Sequence, residues 1–208
     1  MCSLKKKIVL VGDAGCGKSA LAVKLTENMF LDYYEPTDFE NFHTEIRTAK
    51  GNCSLTILDT SGNHEQENVR ALTYKGCDAV VICFDLTNEE SLASVEKAWL
   101  PELKAHCPNV PVYIAGCKRD AMCTNGSCNC GESCCTLSES ELLCIIERTG
   151  AVAYTECSAA LGEDDGVEGL FQVVVETSSQ KKKSKAKMLS KIKKRSKSIK
   201  RRFSVLVQ

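Results

Sequence analysis

Eight consecutive residues, Gly12-Asp13-Ala14-Gly15-Cys16-Gly17-Lys18-Ser19, carry the most specific chemistry in the chain, reading G-x-x-x-x-G-K-S. Glycines let such a loop wrap a phosphate while successive backbone N–H groups point inward. A helix opening behind the loop adds partial positive charge. In that arrangement Lys18 reaches the β- and γ-phosphates of a nucleotide, and the Ser19 hydroxyl goes to Mg²⁺. The motif requires a strand before it and a helix after it. The apolar run within Lys5–Val11 reads as that strand, and Gly17–Glu27 as that helix. A second group, Asp59-Thr60-Ser61-Gly62, is weak alone and usually a turn. Placed one hairpin after the phosphate loop, it offers a carboxylate to hold Mg²⁺ through water and a glycine N–H to a γ-phosphate.

The elements that must position these groups alternate. Phe39–Thr48 and Asn52–Asp59 read as two strands joined in a hairpin by Ala49-Lys50-Gly51. Asp78–Asp85, Val110–Gly116 and Val152–Cys157 are further short strands. Between them, Leu92, Val95, Trp99 and Leu103 give Glu89–Ala105 helical spacing. Ser138–Arg148 opens with a Ser-x-x-Glu capping box at Ser138 and Glu141, and Val167–Thr177 reads as a final helix. Six strands alternating with helices predict an α/β fold with a mostly parallel six-stranded sheet and helices on both faces. Ligands in such folds bind at the carboxyl ends of the strands.

Three more segments complete a set. Gly116-Cys117-Lys118-Arg119-Asp120 and Glu156-Cys157-Ser158-Ala159, with the phosphate loop and Asp59–Gly62, resemble the guanine-nucleotide motifs of small GTPases from about Lys5 to Thr177. Tyr34-Glu35-Pro36-Thr37-Asp38-Phe39-Glu40-Asn41-Phe42 is similar to the switch I segment of the Rho family. The 37 residues between Asp120 and Ser158 leave room for the insert, residues 121–137, that marks Rho proteins. Asp59–Gly62, Asn68-Val69-Arg70, Ile82-Cys83-Phe84-Asp85 and Gly116-Cys117-Lys118 look closest to the Rnd subgroup, whose members are regarded as GTP-bound and poor at hydrolysis.

The resemblance implies a P-loop NTPase G domain over residues 1–177, with GTP or GDP and Mg²⁺ as ligands. Asp13, Ala14, Gly15, Cys16, Gly17, Lys18, Ser19 and Ala20 would form the phosphate cradle. Ser19 and Thr37 would ligate Mg²⁺ directly and Asp59 through water, with Gly62 on the γ-phosphate. Phe30 would pack against the guanine and Tyr34 would cover the phosphates. Lys118 would lie along the base, Asp120 would accept from the guanine N–H groups, and Ser158 and Ala159 would complete the base site. Cys117, where Asn or Thr is usual, and Ala160, where Lys often flanks the base, depart from the pattern and loosen guanine binding without removing the Lys118/Asp120 pair.

Two further departures bear on catalysis. A Gln orients the attacking water in GTPases of this type, and an arginine finger stabilises the transition state. Asn63 stands at the Gln position. It is one methylene shorter, and a displacement of about 1 Å can cost on the order of 10²-fold. Ala14 stands where Rho proteins have Gly, and its methyl is expected to crowd the water-orienting side chain and a partner's arginine. The expected protein is a mostly GTP-bound switch that recruits effectors through switch I (Tyr34 to Phe42) and switch II (Asn63 to Tyr74). The alternatives are a cycling GTPase served by exchange factors and activating proteins, and a scaffold with a structural nucleotide. His64, Glu65 and Glu67 read as a solvated switch loop.

Charge divides the chain. Of its 27 basic residues, 13 lie between Lys181 and Arg202, where there is no acidic residue; the first 176 residues hold the other 14 against all 27 acidic ones. Leu189, Ile192, Ile199, Phe203 and Leu206 recur at helical spacing within this basic tail, residues 178–208. Such a segment suits reversible binding to an anionic membrane; a calmodulin-type partner, a nuclear-localisation signal and a solvated tail are the other readings. Ser196 and Ser204 are candidate phosphorylation sites. No cysteine follows Cys157, so no prenylation motif is expected. Cys123, Cys128, Cys130, Cys134 and Cys135 read as a zinc site, as redox-sensitive or lipidated thiols, or as a reduced surface loop. Without a signal segment or a long apolar run, the chain is expected in the cytoplasm, as a monomer with no nucleic-acid partner. An actin-cytoskeletal role follows from the Rho resemblance alone.

Overall fold

The computed structural model describes residues 4–30, 33, 35–48, 51–122, 139–162 and 165–178. Tyr34, the cysteines from Cys123 to Cys135, Ser138 and the tail from residue 179 onward lie outside the described residues.

Six strands form one sheet in the order β2-β3-β1-β4-β5-β6. They are β1 (Leu4–Val11), β2 (Phe39–Thr48), β3 (Gly51–Thr60), β4 (Ala79–Asp85), β5 (Val112–Cys117) and β6 (Tyr154–Glu156). Only β2 runs antiparallel, paired with β3 from Phe39↔Thr60 to Thr48↔Gly51; every other neighbouring pair is parallel. Side chains alternate across β1: Ile8 and Leu10 enter one core, Val9 and Val11 the other. β4 is buried at all seven positions, as expected of a central strand covered on both faces.

Helices α1 (Lys18–Glu27) and α6 (Val167–Thr177) supply Leu21, Ala22, Leu170, Phe171 and Val174 to the first core. Burying a side chain such as Phe171 contributes about 1.5–3 kcal/mol. The second core holds Tyr74, Leu92, Val95, Trp99, Leu103, Leu142 and Ile146. It is covered by α3 (Glu89–Ser94), α4 (Leu100–His106) and α5 (Glu139–Thr149).

The spacing predicts one helix over Glu89–Ala105. The chain instead follows α3, a π turn at Val95–Trp99 and then α4. Asn88 starts it, its Oδ1 accepting from Glu90 N at 2.9 Å and Ser91 N at 3.2 Å. The solvated loop expected at His64–Glu67 is also corrected: His64–Gln66 is a 3₁₀ turn, and α2 (Glu67–Thr73) follows directly.

Because β1 and β3–β6 are parallel, their carboxyl ends lie on one edge of the sheet. The phosphate loop follows β1, Asp59–Gly62 follows β3, and Lys118–Asp120 follows β5. The strand order turns around β1, which places the phosphate loop at the switch point where such folds hold ligands.

Candidate functional site

The phosphate loop wraps because three glycines adopt positive φ: Gly12 (145°), Gly15 (72°) and Gly17 (109°). At Gly12 the reason is also steric, since a methyl there would lie 2.1 Å from the Cys83 carbonyl oxygen of β4. Lys18, at the first turn of α1, is buried and folds back over the loop, donating to Gly12 O and Asp13 O at 2.9 Å each. Its ammonium thus stands at the centre of the ring of backbone amides.

Ser19, Thr37 and Asp59 meet from three elements. Ser19 Oγ donates to Asp59 Oδ2 at 2.5 Å and lies 2.9 Å from Thr37 Oγ1. Asp59 is fully buried, and its Oδ1 has no hydrogen-bond partner among the described residues. An uncompensated carboxylate oxygen in the interior is costly. Burial pushes the Asp59 carboxyl up, and the Ser19 hydrogen bond and Lys18 only partly offset this. Two hydroxyls and a carboxylate oxygen in need of a cation form an all-oxygen donor set of the kind Mg²⁺ takes. The residues therefore fit the metal that the phosphate loop implies.

Gly62 lies against the phosphate loop, where an added methyl would come 2.2 Å from Ala14 N. Asn63 lies beyond it, but its side chain is turned to another task. Its Oδ1 accepts from Glu65 N at 3.0 Å and caps the 3₁₀ turn. Its carbonyl accepts from Arg70 Nη1 at 2.5 Å. Arg70 is almost fully buried; it also donates to Ser61 O at 3.0 Å and pairs with Glu102 through Nε at 2.9 Å and Nη2 at 2.7 Å. The Tyr74 hydroxyl donates to the same carboxylate.

Asp13 also has a side-chain role that its motif position does not convey. Its Oδ1 accepts from Trp99 Nε1 at 2.8 Å, and His64 Nε2 lies 3.5 Å away. The His64 ring packs on Trp99 with centroids 4.9 Å apart, and the Arg70 guanidinium lies 4.8 Å from the indole centroid. Glu67 meets His106 at 2.7 Å. Neither His64 nor Glu67 is a freely solvated side chain.

At the far end of the edge, Lys118 adopts φ 60° and pairs its Nζ with Asp85 Oδ2 at 2.7 Å. Burial pushes the Asp85 carboxyl up, but hydrogen bonds from Lys118 and Thr87 outweigh it and hold the group below the usual range. Ser158 Oγ donates to Asp120 Oδ1 and accepts from Leu161 N at 3.2 Å, joining the β5 and β6 loops. Ala159 is buried beside them, and Phe30 is half exposed after α1. Cys117 packs on Gly17: a methyl at Gly17 would meet its Cβ at 3.0 Å. Burial pushes the Cys16 thiol up to about 12, so it serves as packing rather than as a nucleophile.

Thus the structure brings together Asp13–Ala20, Thr37, Asp59, Gly62 and Asn63, and places Lys118, Asp120, Ser158 and Ala159 on the neighbouring loops. Sequence reasoning missed Trp99, Arg70, Glu102 and Asp85 as parts of this edge. Trp99 had one signal, being the only tryptophan of the chain; the others had none, since their partners lie 32 or more residues away.

The Ras family model matches residues 7–180. Members of that family bind guanine nucleotide and Mg²⁺ and act with effectors, exchange factors and activating proteins. With a G domain built on this sheet and a match spanning most of its length, the chain belongs to the Ras family and is a GTP-binding small GTPase.

Proposed function

We propose that this GTPase is a Rho-type switch, nearest the Rnd subgroup, that holds GTP and hydrolyses it slowly. The observation that carries the reading is Asn63: its side-chain oxygen caps Glu65 N, and its carbonyl is held by Arg70. A side chain engaged as a cap cannot also orient a water at the γ-phosphate. Ala14 supports the same conclusion, because Gly62 already lies against its backbone and leaves little room beside it. The switch I sequence Tyr34–Phe42 and the length between Asp120 and Ser158 support the Rho assignment.

In this reading Lys18 exchanges its two loop carbonyls for phosphate oxygens, and the amides of residues 13–20 surround the β-phosphate. Ser19 and Thr37 hold Mg²⁺, with Asp59 behind them. Mg²⁺, when bound, neutralises charge between the β- and γ-phosphates. Asp120, oriented by Ser158, accepts from the guanine N–H groups, while Lys118, fixed by Asp85, lies along the base. Effectors dock on switch I and on the exposed Val69 and Leu72 of α2. The basic tail holds the protein reversibly at the cytoplasmic face of an anionic membrane, where Rho-type effectors act on the cytoskeleton.

The test is to purify the full chain, release its nucleotide and separate GTP from GDP by chromatography. Mostly GTP is expected, and mostly GDP would overturn the reading. In single-turnover hydrolysis, joint Ala14→Gly and Asn63→Gln substitution should raise the rate by about 10²-fold. Asn63→Gln alone should do less, because it also removes a cap worth about 1 kcal/mol.

A further inference from the structure

The carbonyls on either side of Gly62, those of Ser61 and Asn63, are both held by Nη1 of Arg70, at 3.0 and 2.5 Å. The other edge of the guanidinium is held by both oxygens of Glu102 in α4. Tyr74, at the end of α2, donates its hydroxyl to the same carboxylate. Trp99 lies beside Arg70 and fastens the π turn to Asp13 of the phosphate loop. His64 closes the stack from the other side. Every one of these contacts joins switch II to the protein's own body.

We propose that Arg70 is a positioning residue that locks switch II from behind, so that residues 61–74 keep one conformation whether the site holds GDP or GTP. The argument compares two sets of bonds. A γ-phosphate offers switch II one acceptor, for the Gly62 N–H. Lifting Gly62 away after the phosphate is lost would require breaking the Arg70 bonds to both flanking carbonyls. It would also strand a cation only 2 % exposed beside a carboxylate only 7 % exposed. Removing partners from a buried, fully hydrogen-bonded pair is far more costly than losing one bond to a neutral donor. The face of α2 opposite Arg70, with Val69 and Leu72 exposed, is then presented identically in both nucleotide states. Nucleotide sensing falls to switch I, through Thr37.

The inference rests on guanine-nucleotide binding but not on slow hydrolysis. The full chain is loaded in parallel with GDP and with a non-hydrolysable GTP analogue, and retention is checked by chromatography. Two readouts follow: the emission of Trp99, the chain's only tryptophan, and amide hydrogen exchange over residues 61–74. Wild type should give the same emission and the same switch II exchange in both states. In Glu102→Gln, exchange there should become nucleotide-dependent by at least about tenfold, the ratio implied by loss of one hydrogen bond to a charged group. A merely structural role would lower stability without creating that dependence. If Glu102→Gln does not fold, Tyr74→Phe removes one bond to the same carboxylate and should show a smaller dependence of the same sign. A wild-type chain whose switch II exchange differs tenfold between the two nucleotides overturns the lock. A chain that retains neither nucleotide overturns the guanine-nucleotide reading and the lock with it.

Discussion

Asp59 shows how one residue reports on a ligand. It is fully buried, it accepts from Ser19 through Oδ2, and its Oδ1 is left without a partner among the described residues. A core position with that deficit would be selected against unless a cation completes it. Asp59→Asn keeps the shape and removes the charge. If the carboxylate acts on the metal from behind Ser19 and Thr37, loss of such an outer partner should weaken Mg²⁺-dependent nucleotide retention by about 10–100-fold. The check is nucleotide release with Mg²⁺ and again with a chelator. The difference between variant and wild type should vanish once Mg²⁺ is removed; a difference that persists would mean that Asp59 supports the fold and not the metal.

At the scale of elements, the site depends on how closely the phosphate loop approaches β4. Gly12 sits at φ 145°, and a methyl there would lie 2.1 Å from Cys83 O, a backbone atom of a fully buried strand that cannot move aside. Gly12→Ala should therefore cost about 1–3 kcal/mol through overpacking, seen as a Tm lower by roughly 2–12 °C. An unchanged Tm would show that the loop can lift off β4, contrary to its packing here. The strands were legible because each is a short run of β-branched or apolar residues between polar ones, and their ends mostly fall within two residues of expectation. The phosphate loop was legible because its chemistry is contiguous. α2 was not, since Glu67-Asn68-Val69-Arg70 turns a charged residue inward, and only the distant Glu102 makes that burial tolerable. The π turn was equally hidden: Leu92, Val95, Trp99 and Leu103 read as an ordinary helical stripe, and the change of hydrogen bonding within it leaves no mark on spacing. The Trp99–Asp13 bond that this turn permits spans 86 residues.

For the whole molecule, the decisive property is the separation of charge between body and tail. The Tyr113 hydroxyl at the start of β5 meets Thr177 Oγ1 at the end of α6 at 2.7 Å. The carboxyl end of β5 leads instead to Lys118 and Asp120. The described chain therefore ends on the side of the sheet opposite the nucleotide loops, and the 13 basic residues that follow start from there. A surface that holds those residues leaves switch I and switch II facing away from it. Each Lys or Arg near an anionic bilayer contributes about 1 kcal/mol, and that attraction is screened as the Debye length falls from about 10 Å at 0.1 M salt to about 3 Å at 1 M. The full chain should thus co-sediment with phosphatidylserine-containing vesicles at low salt, detach at high salt, and ignore pure phosphatidylcholine. Ser196→Glu with Ser204→Glu should shift the detachment to lower salt, since both positions lie among or just beyond the basic residues. Binding that survived high salt would assign the attachment to the apolar Leu189, Ile192, Ile199, Phe203 and Leu206 rather than to charge. Equal binding to the neutral lipid would remove the electrostatic account altogether.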